Sequence, residues 1–298
     1  MKEFDDQNRR QMVQWQEKLL RTSVRRRIRA GRLCEAVGTA TNRSALEIGM
    51  GDAGLAVRLR QTGGDWHHVG IGPDALRSLD CVTGGPAGEW SPGGGLPFDD
   101  GSFELVVVDG ALEWVEDESA FIRECHRVLQ TDGRLILDVR HARRFSLMHC
   151  WRVLLGERRG GEGGGRAGYT AHHLFDLLKD GFDVPGIDRY SGFFVELLGA
   201  LATGLLRLGG AADCFRPQED DQSQFYRYQK VRLVSLLGMP LFMLADLLDR
   251  ALFFLPRYRL LATTKRRVWR ERRIPKLRDG RSIAEAAINT RIGSAAPF

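Results

Sequence analysis

Near the start of the chain the apolar positions Met12, Trp15, Leu19 and Leu20 recur at helical spacing. This predicts a helix from about Gln7 to Val37, with "RRRIR" in its second half. Ala45 to Ile48 reads as a short buried strand, the glycine-rich loop after it opens a helix around Leu55 to Arg60, and "HHVGIG" ends a second strand. "FELVVVDG" is a continuous apolar run bounded by Gly101 and Gly110. Such a run suits a central parallel strand covered on both faces. "SAFIRECHRVLQ" places Phe121, Ile122, Cys125, Val128 and Leu129 on one helical face, "TDG" turns the chain, and "RLILDV" is the next strand. The alternation predicts an α/β fold with a doubly wound, mostly parallel sheet.

Two glycine-rich stretches, Thr83–Gly95 and Gly156–Gly168, interrupt this rhythm and read as loops. "YTAHHLFDLLKDGFDVPGIDRYS" then predicts a helix, started or capped by His172 and His173, and an edge strand. Next, Phe193, Leu197, Leu201 and Leu205 share a helical face, with Glu196, Thr203 and Arg207 on another. A second amphipathic segment starts near Pro240, where Leu241, Leu244, Leu248, Leu252 and Leu255 oppose Asp246, Asp249 and Arg250. Each segment is under about 20 residues and charged, so neither is expected to span a bilayer. "YRLLATTK" reads as the last strand. The predicted organisation is a basic helical segment (1–42), a core (43–191), an amphipathic helical insertion or cap (192–256), a last strand with a basic segment (257–273) and a poorly ordered tail (274–298).

With 298 residues, 43% hydrophobic and 28% charged, the chain can bury one core with an appended subdomain. The net charge of +6 hides an asymmetry. Arg9–Arg32 holds nine Lys/Arg against Glu17, Arg250–Arg281 holds twelve against Glu271 and Asp279, and the rest nets −12. Basic flanks suit an anionic membrane surface or nucleic acid. Nucleic acid is the poorer match, because the basic segments interleave with leucine rather than with exposed aromatics. The scattered cysteines (Cys34, Cys81, Cys125, Cys150, Cys214) suggest neither a disulfide framework nor a zinc site, and "MKEFDDQNRR" leads into no apolar run. A cytoplasmic protein without a metal, peripheral at the inner membrane surface, is expected.

"LEIGMGDAGLAVRL" contains GxGxxG at Gly49, Gly51 and Gly54, the dinucleotide fingerprint, and Asp74 stands where a ribose carboxylate would. Glu47 argues against a nicotinamide cofactor: a carboxylate beside the loop suits a cationic ligand. Further on stand Leu96-Pro97-Phe98, Phe103-Glu104, Leu112-Glu113-Trp114-Val115 and Arg127-Val128-Leu129 with Asp132-Gly133. With Leu46–Gly51, this block resembles the class I S-adenosylmethionine-dependent methyltransferases, in particular the group related to the ubiquinone/menaquinone C-methyltransferases.

The resemblance implies a Rossmann-like sheet with S-adenosyl-L-methionine as cofactor. It implies cofactor contacts from Glu47, Gly49, Met50, Gly51, Asp52, Gly72, Asp74, Asp109 and Gly110. The chain departs from the family at three places. Ala53 replaces a loop glycine, with Gly54 displaced by one. Gly72 stands where the family's strand-end acid is expected, so Asp74 is expected to contact the ribose. Pro92 replaces an Asp, with Glu89 or Asp74 to compensate. No Asn/Asp-Pro-Pro-Tyr/Phe loop is present; "VDGALEW" stands there, which favours methyl transfer to O or C of a small-molecule or lipid-linked substrate. His141, after "RLILDVR", is the expected base, with Asp109 a second candidate. The alternatives are a methyltransferase-fold protein with a weakened or non-catalytic site, and a nucleic-acid methyltransferase.

Overall fold

The computed structural model describes residues 2–72, 75–76, 79–80, 87–90, 95–142, 168–208 and 221–270. The N-terminal helical stretch is two helices, α1 (Lys2–Thr22) and α2 (Val24–Val37), broken at Ser23, whose extended backbone stops the first ladder. The core follows as β1 (Ser44–Gly49), α3 (Ala53–Arg60), β2 (Asp65–Gly70), β3 (Gly88–Glu89), β4 (Phe103–Asp109), a 3₁₀ turn at Ala111–Trp114, α4 (Glu118–Val128) and β5 (Leu129–Arg140). Then come α5 (Ala171–Leu178), β6 (Phe182–Tyr190), α6 (Phe193–Leu208), α7 (Asp221–Ala251) and β7 (Arg259–Arg266).

The seven strands form one sheet in the order β3-β2-β1-β4-β5-β7-β6. Only β7 runs against its neighbours. This is the doubly wound, mostly parallel, Rossmann-like architecture. Alternation along the central strands divides the core. Leu105 and Val107 of β4 face Ala30, Leu33 and Val37 of α2 and Leu55 and Leu59 of α3. Val106 and Val108 face Phe121, Ile122 and Cys125 of α4 on the other side.

Two pieces of the Leu96–Leu137 block act as clamps. Arg127 donates to the carbonyls of Leu96 (3.0 Å) and Phe98 (2.8 Å) and to Asp100 (2.8 Å), so a helix residue holds the Leu-Pro-Phe turn shut. Glu113, buried in the 3₁₀ turn, accepts from the Arg140 backbone N–H (2.6 Å) and pairs with its guanidinium at the end of β5.

The helical insertion differs from its expected form. Its second helix does not start at Pro240: α7 spans Asp221–Ala251, with Pro240 inside it on the exposed side. Its polarity is also inverted. Val231, Ala245 and Asp249 face inward, while Leu237, Leu241, Leu244 and Leu247 are all more than half exposed. In α6 the buried positions are Val195, Glu196, Gly199, Ala200 and Gly204, and Leu205 points out. Asp249 explains part of the inversion, because its carboxylate accepts from the backbone N–H groups of Phe194 and Val195 (3.0 Å each) and so caps α6 from α7. The basic run after β7 is not a continuation of α7. Residues Arg266 and Arg267 lie at the far end of β7, where Arg266 donates to the Leu129 carbonyl and Arg267 pairs with Asp183.

Candidate active site

Toward their carboxyl ends β1, β4 and β5 each carry a buried carboxylate, Glu47, Asp109 and Asp138. β1 delivers Glu47 and the glycine loop, and Gly49 bridges directly to Gly110 beyond β4. A Cβ on Gly51, whose φ is +84°, would lie 2.7 Å from the Ala75 Cα, so only glycine allows the loop to pass beneath that segment. Asp52 caps α3, accepting from the Leu55 N–H at 3.3 Å. Met50 is partly exposed beside it. Gly54 serves packing instead: a Cβ there would stand 3.0 Å from the Gln16 carbonyl of α1.

Glu47 is buried, and one carboxylate oxygen meets His68 Nδ1 of β2 at 2.6 Å. The other oxygen has no partner among the described residues and would lie 3.4 Å from a Cβ on Gly49. A buried carboxylate oxygen without a partner among the described residues, beside the glycine loop, is a place for a cation.

The sequence reading missed the group that lies across this edge. Arg29 of α2 pairs with Asp109 of β4 and donates to Asp138 of β5 at 3.0 Å. Its guanidinium lies 2.9 Å from where a Gly110 Cβ would be. Asp138 also binds Arg259, and Tyr190 donates to it at 2.6 Å. Burial alone would raise the Asp138 pKa, but Arg259 and Arg29 outweigh it and hold the group below the usual range. Burial wins at Asp109, which is pushed up to about 7 despite Arg29.

The other expected positions divide. β2 ends at Gly70, two residues before Gly72. A Cβ on Gly70 would stand 2.8 Å from the Leu76 nitrogen, which leaves no room for an acid. Gly72 lies in the bend beyond, with φ +86° and open space around it. Asp74 and Pro92 lie outside the described residues. Glu89 ends β3, paired in register with Gly70 and exposed. His141 is just past β5, with Nδ1 on the Arg257 carbonyl (3.0 Å). It lines a cavity with Arg189, Phe253, Phe254 and Arg257, apart from the cavity beside the glycine loop. His172 and His173 sit in the first turn of α5, capped by Thr170.

The cavity beside the loop encloses about 330 Å³ between α1, α2, α6 and α7. Asp52, Arg25, Arg26, Arg29 and Arg259 stand at its polar side; Leu19, Leu206, Val231, Val234 and Phe242 form the apolar side. Arg25 is paired with Glu196 at 3.0 Å.

The family model described as "Methyltransferase domain" matches residues 46–137. The match covers about a third of the chain. The matched segment starts one residue before Glu47 and ends one before Asp138, so it contains the glycine loop, Asp109 and the Arg127 clamp. It indicates S-adenosylmethionine as the cofactor, and the unpartnered Glu47 oxygen and the Gly51 cradle fit a cationic ligand there. No curated protein matches the chain. Among solved structures, a Bacillus halodurans protein described as a methyltransferase is 15% identical, with 79% of this chain and 97% of that one covered and a TM-score of 0.50. The [4+2]-cyclase SpnF is 16% identical, with 80% of each chain covered and a TM-score of 0.50. These likenesses are of fold. A cyclase among them means the fold alone does not set the reaction.

Proposed function

We propose that this chain is an S-adenosylmethionine-dependent methyltransferase acting on O or C of a small or lipid-like acceptor, in the manner of the quinone-methylating group it resembles. The observation that carries the reading is the cavity at Asp52, within the size range of small-molecule sites, with guanidinium groups on one side and an apolar wall on the other. Such a lining suits an amphiphile with an acidic or oxygen-rich head. Glu47 and Asp109 would hold the cationic end of the cofactor, the Gly49–Gly51 backbone would approach it closely, and Glu89 would serve the ribose side. Bound there, S-adenosylmethionine supplies a methyl group on a good cationic leaving group, so the protein mainly aligns the acceptor and keeps water out. Where the acceptor must lose a proton, Asp109, whose carboxyl is raised to about 7, is a candidate beside His141.

A second reading, a domain that binds cofactor weakly without turnover, draws support from Gly72, which brings no carboxylate to the position where the resemblance expects one. One titration separates the two. Calorimetry with S-adenosylhomocysteine should give saturable binding that Gly51→Val abolishes, with a lowered unfolding midpoint because the added side chain meets Ala75. Binding of NAD(H) in place of S-adenosylhomocysteine would refute the cofactor. Absence of S-adenosylhomocysteine binding at millimolar concentration would favour the weakened site.

A further inference from the structure

We propose that the outer face of α7 docks the protein on an anionic bilayer, lying in its interface without crossing it. The inference goes beyond the methyl-transfer reading and stands whether or not the acceptor is lipid-like.

The inverted polarity of α7 is the first support. From Leu233 to Leu248 the exposed positions are Leu233, Leu236, Leu237, Pro240, Leu241, Met243, Leu244, Leu247 and Leu248, without one charge among them. The face is about 22 Å long at 1.5 Å per residue. It continues into Phe253 and Phe254, 78% and 72% exposed. A contiguous apolar face of this extent, with the helix's own aspartate turned inward, is built to be covered.

Charge selects the cover. Exposed Arg232 stands at one end of the face and exposed Arg250 at the other, where Arg250 also holds Asp246 at 2.7 Å. Arg189 and Arg257 flank Phe253 and Phe254 in one shallow cavity. Apolar residues between cationic ends match acyl chains below anionic headgroups. A second copy in parallel fits less well, because it brings Arg232 against Arg232.

Topology rules out a single crossing. By length and composition Gln229–Ala251 is long and apolar enough to cross a membrane. Yet Tyr190 and Arg259, on either side of the insertion, are paired in one sheet, so the chain must leave and return on the same side. α6 has 16 residues, about 24 Å, short of the roughly 30 Å hydrocarbon core. The inner side of α7 is meanwhile held to the body through Asp249 and through Val231 against Leu19.

The test uses the full chain with vesicles of phosphatidylglycerol in phosphatidylcholine, against phosphatidylcholine alone. Expected are flotation with the anionic vesicles, release by salt and full extraction by carbonate. Leu237→Asp with Leu244→Asp should lower vesicle binding by about tenfold or more. Both side chains are over half exposed, so the unfolding midpoint should hold. Arg232→Gln with Arg250→Gln should weaken binding to anionic vesicles only. Equal binding to neutral vesicles, or resistance to carbonate, would overturn the interfacial anionic mode. A soluble protein at every lipid composition would overturn the proposal. If that protein sediments as a dimer which the aspartate variant dissociates, the face belongs to a second copy. None of these readouts depends on methyl transfer.

Discussion

Burial raises the Asp109 carboxyl to about 7, while Arg29 and Arg259 pull the other way. Its ordinary value is 3.8, so between these two values the folded chain holds a proton that the unfolded chain has lost. This group's contribution to stability is therefore present below its ordinary value and is lost as pH rises through about 7. Cofactor affinity should move in the opposite sense, since an ionised Asp109 better holds a cation. From about pH 6 to pH 8 the affinity for S-adenosylhomocysteine should rise about tenfold, the change in ionised fraction for such a group. Asp109→Asn should flatten that profile in calorimetry; a profile that is unchanged in the variant would place the titrating group elsewhere. Neither the pKa nor its cause was legible in the sequence. Arg29 is one of nine Lys/Arg between Arg9 and Arg32, and nothing in their spacing says which one turns inward.

At the scale of elements, α6 is capped by a residue of α7. Asp249→Ala leaves the N–H groups of Phe194 and Val195 without their acceptor and should cost about 1–2 kcal/mol in urea unfolding. Gly192→Ala should cost at least as much, because a Cβ there would sit inside the Asp249 carboxylate. If both variants unfold like the parent, the cap is incidental. The sequence showed the strands of the core well, since their runs of apolar residues are local and bounded by glycine. It showed the last strand as well, which β7 matches at Arg259–Arg266. It misled in the insertion. Pro240 reads as a helix start, but α7 runs through it, with the proline on the exposed side. Likewise Leu241, Leu244 and Leu248 against Asp249 read as an ordinary amphipathic helix, and only the cap on α6 reveals which side faces in. The end of β2 was off by two residues, because Gly70 and Gly72 are equal as stops and only packing against Ala75 and Leu76 distinguishes them.

At the scale of the whole molecule, the sheet divides the labour. The half from β3 to β4 carries the glycine loop, Glu47, Glu89 and Asp109, while all of the cavity lining but Asp52 comes from outside the matched segment. Tyr190 pairs with Arg259, so residues 191–258 leave the sheet and rejoin it at a single rung. Replacing residues 192–257 with a short hairpin turn should preserve that rung and S-adenosylhomocysteine binding while abolishing vesicle flotation. Loss of S-adenosylhomocysteine binding in a chain that still folds would mean the insertion shapes the cofactor half too. That single rung also bears on how such a protein changes over generations. A cassette with adjoining ends can be lengthened, shortened or exchanged by recombination without disturbing strand register. New acceptors and new docking surfaces can then be tried while the methyl-donor half is inherited intact.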